Sequence, residues 1–184
     1  ACVSRRISLA KLLRNWALVF LGNLLGALGT VVLISISNYW LANDGKVGEV
    51  TVLIANSKVN LSFAEAFTRG ILCNVLVCLA IWLCFAGRSV TDKILAIVFP
   101  ITAFVALGFE HSVANMYFIP AGMMALNDPV VLAAIPVGTD LSGLNIWDFM
   151  VNNLLPVTLG NMVGGGILVG VVYWVIYLRN EKNT

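Results

Sequence analysis

Charge is scarce in this sequence. Lys and Arg number 11, Asp and Glu 9, and histidine occurs once, at His111, in 184 residues. Charged residues make up 11% of the chain, where a soluble domain carries about 25%. A single histidine leaves no metal triad and no Cys/His pair, and no phosphate-binding loop is present, so catalysis finds no footing. The four cysteines, Cys2, Cys73, Cys78 and Cys84, form no CxxC. Three of them fall on one predicted helix, where neither a metal site nor a disulfide is expected. The net charge is only +2, with no basic aromatic face, which excludes a nucleic-acid partner. The expectation is a protein that is not an enzyme and uses no cofactor and no metal.

What is abundant is hydrocarbon. Hydrophobic residues make up 60% of the chain and the mean hydropathy is +0.94. That composition predicts an all-α polytopic protein of the lipid bilayer, in a single transmembrane domain covering 1–184. Helices are predicted at about 15–41, 63–87, 93–126 and 149–178, the third broken near 105–111. The turn residues Asn43, Asp44 and Gly45 close the first, and a polar connection is expected from there to Ser62.

The charges orient the spans. Arg5, Arg6, Lys11, Arg14, Arg88, Lys93, Arg179 and Lys182 alternate so as to share one side, and Asp44, Glu49, Asp128, Asp140 and Asp148 share the other. By the positive-inside rule the basic side, with the C-terminus, is cytoplasmic, placing the chain in the inner (plasma) membrane. Trp16, Trp40, Trp147, Tyr173, Trp174 and Tyr177 are read as interfacial anchors.

A weak repeat runs through the chain. Asn15, Gly22, Asn23 and Gly26 recur at a constant offset as Asn153, Gly160, Asn161 and Gly164. The first and last spans point in opposite directions, as an inverted-topology repeat requires. The second copy has two helices before its Gly-Asn helix and the first has none, so symmetry predicts two further helices upstream, one of them broken.

The stretch from Phe104 to Met116 carries the chemistry. Gly108 frees the backbone from helical geometry, and Glu110 and His111 follow at the middle of a hydrophobic span. Ionisable groups at that depth face protein or a water-filled cavity and mark substrate paths. An imidazole ordinarily titrates near pH ~6.5, so His111 can lend or take a proton. Glu110 needs a cation or amide donors: Lys58 and Arg69 are the candidate cations, Asn74 and Asn115 the donors. A structural brace and direct substrate contact both remain open for it. Asn161 lies near the depth of His111, and a hydrogen bond between the two is expected. Phe104, two turns before His111, is either a hydrophobic gate or plain packing. Phe109 and Phe118 are candidate lining.

These residues resemble the formate/nitrite transporter family, and most nearly its formate channels. The resemblance rests on Phe104 to Met116, on Gly87-Arg-Ser-Val-Thr-Asp-Lys93 and on Leu155-Pro-Val-Thr-Leu-Gly-Asn-Met-Val-Gly-Gly-Gly166. It implies an aquaporin-like fold of six membrane helices in an inverted repeat, of which this chain lacks the first two, and a homopentamer with one pore per subunit. His111 resembles the pore histidine, Asn161 its companion asparagine and Phe104 a constriction phenylalanine. Lys58, Asn74, Glu110 and Asn115 resemble a polar network near the vestibule. The expected function is a channel or transporter for a small monovalent anion, most of all formate, with His111 taking part in proton transfer. A nitrite or hydrosulfide channel of the same fold, a path for water or neutral solutes, and a non-transporting membrane scaffold are the alternatives.

Overall fold

The computed structural model describes residues 7–178. Cys2, Arg5, Arg6, Arg179 and Lys182 lie outside the described residues. The structure is helical, with no strand among the described residues. The elements are α1 (Leu9–Ile36), α2 (Lys46–Val59), α3 (Phe63–Ala86), α4 (Val90–Ala106), α5 (Ser112–Ala125), α6 (Pro129–Ala134) and α7 (Ile146–Tyr177). By length and composition α1, α3 and α7 can each cross a membrane. The span predicted at 93–126 with a break near 105–111 runs as two helices, α4 of 17 residues and α5 of 14, on either side of residues 107–111.

Capping residues set several boundaries. Ser8 accepts from the Lys11 amide at the start of α1, six residues ahead of the predicted Asn15. Lys11 and Arg14 fit inside the helix because their long stems carry the charge outward. The helix ends at Ile36 rather than Leu41, since Asn38 takes left-handed backbone angles. Ser89 and Asp92 form a capping box: the Ser89 hydroxyl accepts from the Asp92 amide at 3.1 Å while the Asp92 carboxylate accepts from the Ser89 amide at 2.9 Å. That box starts α4 at Val90.

The helix α2 corrects the sequence reading, which made this segment a polar connection. Lys46, Glu49, Asn56 and Lys58 interrupt its apolar residues, but Gly48, Val52, Ala55 and Val59 are buried at spacings of three and four. A short helix with one small apolar stripe is legible only once a partner surface is known. The α7 helix is also less regular than a hydrophobic run suggests, widening to π geometry over Phe149–Leu154 and again over Met162–Val171.

The chain forms two compact units. In the first, α1 and α2 pack on α5 around a core that includes Val52, Ala55, Met116, Ile119, Val131 and Phe149. This unit comprises residues 7–63 and 112–155. In lipid, close packing rather than escape from water holds such a core. Trp40 belongs to it at 5% exposure, so it is not the interfacial anchor expected. The tight turn at Tyr39–Leu41 swings its indole inward. By contrast, Leu25, Leu33 and Ile36 of α1 are exposed, as befits a helix surrounded by lipid.

The second unit holds α3 from Ala64, α4 and α7 from Pro156. Here α7 lies so close to α3 that a Cβ at Gly160 would collide with the Phe67 carbonyl oxygen, and one at Gly164 with that of Ile71. Small residues allow this backbone approach. Their repeat equivalents on α1, Gly22 and Gly26, have nothing within 4 Å of such a Cβ. The repeat therefore conserves residue types, not surroundings.

Candidate functional site

The interruption between α4 and α5 is built by hydrogen bonds that close α4. Gly108 takes φ +64° and its amide donates to the Val105 carbonyl at 3.1 Å, while the Phe109 amide donates to the Phe104 carbonyl at 2.9 Å. These two bonds with a left-handed glycine are the Schellman closure, which satisfies carbonyls a helix end would otherwise leave bare. In a membrane that satisfaction is mandatory. The chain reversal returns His111 to its own helix: its ring stacks on Phe104 with centroids 6.2 Å apart and planes 27° apart.

The residue before it is held from two other helices. The Glu110 amide donates to the Arg69 carbonyl at 3.4 Å, and the Glu110 carbonyl accepts from Asn161 Nδ2 at 3.0 Å. The same Nδ2 donates to the Gly70 carbonyl at 2.8 Å. Asn74 Nδ2 in turn donates to the Asn161 carbonyl at 2.6 Å. Glu110 is 2% exposed and Asn161 7%, while His111 is half-buried. The Asn161 side chain thus pins the segment that carries His111 through its neighbour's backbone. The Arg69 guanidinium passes 3.9 Å from where a Gly108 Cβ would stand, laying a cation along the interruption.

Lys58 and Asn115 sit in the other unit. The Lys58 ammonium lies 5.7 Å from the centre of the Phe118 ring, within cation–π range. Asn115 Nδ2 donates to Asn153 Oδ1 at 2.7 Å, and Asn153 Nδ2 donates to the Lys58 carbonyl at 2.8 Å. In the sequence Asn153 stands out only as a member of the repeat. The available signal was its chemistry, because an amide buried in lipid requires partners.

The structure therefore gathers Phe104, Asn74, Glu110, His111 and Asn161 into one cluster, and Lys58 and Asn115 into another with Asn153. Among the described residues no three of His, Cys, Asp and Glu converge as metal ligands would. An open apolar groove of about 610 Å³ along α3 and α7, lined by Val75, Leu79, Trp82, Val172 and Tyr173, holds none of the candidate residues.

The sequence profile described as Formate/nitrite transporter matches residues 1–175. The chain is 44% identical over 186 residues to the formate channel FocA of Escherichia coli (strain K12), covering 100% of this chain and 65% of that protein. It is 41% identical over 174 residues to the formate channel FocA of Haemophilus influenzae, covering 93% and 61%. It thus spans somewhat less than two thirds of the length of these relatives. Among solved structures, it is similar to a pentameric formate channel with formate bound, with a TM-score of 0.83 and 40% identity over 95% of this chain and 69% of the other. An ion channel of the same family gives a TM-score of 0.75 at 31% identity, over 95% and 63%. With a profile match over nearly its whole length and a helical fold shared with solved members, this membrane protein belongs to the formate/nitrite transporter family.

Proposed function

We propose that this chain, as one transmembrane domain, contributes to a passage for a small monovalent anion, formate first, within a homopentamer in the inner membrane. Its C-terminus faces the cytoplasm. The observation that carries the reading is the His111 ring, stacked on Phe104 at a helix interruption that Asn161 holds in place. The relatives' names, formate channels, and the pentameric neighbour with formate bound support the choice of substrate and assembly.

In this reading Lys58 raises the local concentration of anion. Stripping water from the anion disfavours its charged form. A proton shared with His111, directly or through water, then carries it past the Phe104 constriction as the neutral acid. Glu110 and Asn74 supply the polar groups in the cluster of His111 and Asn161, and Asn115 supplies one in the cluster of Lys58 and Asn153. Uptake of labelled formate into liposomes by wild type and His111→Phe, measured from about pH 5 to 8, tests the proton role. Wild-type flux should rise as the external pH falls and the variant should lose that dependence. An unchanged pH profile in the variant removes the role. Competition by nitrite and hydrosulfide in the same assay ranks the anions.

A further inference from the structure

Asn153 has no place on the anion path just described, yet its side chain is wholly buried. It stands in the π-type stretch Phe149–Leu154 of α7, a geometry that is rare and recurs at functional positions. Both ends of its amide are engaged. Oδ1 accepts from Asn115 at 2.7 Å and Nδ2 donates to the Lys58 carbonyl at 2.8 Å. Lys58 occupies the last turn of α2, where backbone carbonyls have no partner within their helix. Asn153 supplies one.

The consequence concerns the other end of Lys58. Its ammonium lies over the ring of Phe118, which follows Asn115 by three positions on α5 and shares its face. The α5 helix therefore holds Lys58 twice, by the ring beneath the ammonium and, through Asn153, by the backbone carbonyl. Lysine carries a compact point charge on a flexible stem, and these two contacts restrain its root and its tip. We propose that Asn153 is a positioning residue that fixes the Lys58 ammonium for anion capture. An aliphatic side chain could fill the same volume but neither donate to Lys58 nor accept from Asn115.

This proposal rests on the anion-transport reading, so its test has two independent readouts. The first is hydrogen–deuterium exchange in wild type and Asn153→Ala, with Asn153→Asp, close in shape but lacking the donor, used if the alanine variant does not fold. Exchange should quicken by about tenfold in the last turn of α2 and stay unchanged in α1. The second is labelled-formate uptake. The half-saturating concentration should rise by about three- to tenfold, with the maximal rate and the pH profile kept. Lys58→Gln should behave alike, and the double variant no worse than Lys58→Gln alone. Unaltered exchange in α2, or effects of the two substitutions that add, would overturn the positioning role. Should wild type move no formate, the transport reading falls and the exchange result alone decides the role of Asn153.

Discussion

The side-chain amide of Asn161 donates to the backbone carbonyl of Glu110, 51 positions earlier in the chain. A carbonyl in a non-helical segment at membrane depth has no water to turn to, so this bond does what solvent does elsewhere. Asn161→Leu leaves the Glu110 and Gly70 carbonyls without this donor in a buried site. The expected loss of stability is about 2–3 kcal/mol, read as earlier unfolding in mixed micelles. Asn161→Asp, which keeps the size but loses the donor, should lose a comparable amount; full stability in either variant would show that the bond does not hold the interruption.

At Gly108 the constraint is conformational rather than steric. A Cβ there would find its nearest neighbour, Arg69 Nη1, 3.9 Å away. The positive φ is the difficulty, costing a side chain about 1–2 kcal/mol. Gly108→Ala should therefore melt at lower temperature than wild type, while Gly108→Asn, which tolerates left-handed geometry better, should lose less. Equal melting temperatures for wild type and Gly108→Ala would contradict the observed turn.

Gly160 and Gly164 fail for the opposite reason. The obstacle to a methyl group at either is a backbone carbonyl of α3, which cannot rotate away. Each alanine substitution should force the helices apart, at a cost of about 1–3 kcal/mol. Gly166, with open space around it, is the control, and alanine there should be tolerated. Denaturant midpoints of the three variants measure the contrast.

Two exposed carboxylates define a pH range in which the fold should be insensitive to their titration. The Asp92 carboxyl is held below its usual range by the Ser89 backbone N–H, then by the Ser89 hydroxyl and the Arg88 N–H. Asp140 is lowered likewise, by the backbone N–H and then the hydroxyl of Ser142. A carboxyl lowered in the folded state stabilises it above the unfolded value of about 3.9. That contribution fades as the pH falls through the still lower folded value. Thermal stability should thus lose a contribution only below about pH 4, and Asp92→Asn should reduce that acid-sensitive part. Asp92→Asn should therefore be less stable than wild type by a constant amount between about pH 5 and 8, and a difference that appeared only in acid would contradict the sign.

What could be read in the sequence follows from period and composition. Long uncharged runs announce α1, α3 and α7 because a bilayer demands about 20 apolar residues per helix. Gly108 beside Glu110 and His111 announces a special place because ionisable groups are costly at depth. The α2 helix is hidden, since charged and amide residues at Lys46, Glu49, Asn56 and Lys58 break up its apolar run and its buried stripe gains its meaning from α5. Asn153 was hidden for a related reason: an asparagine shows that partners are required, not which ones.

The sequence alone determined the class of molecule and the residue types that resist burial in lipid, because these depend on composition and on the chemistry of single side chains. Only the tertiary structure decided that Asn161 grips the Glu110 backbone, that Phe104 receives the His111 ring, and that Asn153 joins Asn115 to Lys58. Apart from Phe104 and His111, which a chain reversal brings together, those pairings link residues distant along the chain. Distance in space between them is set by how helices pack, which no local pattern encodes.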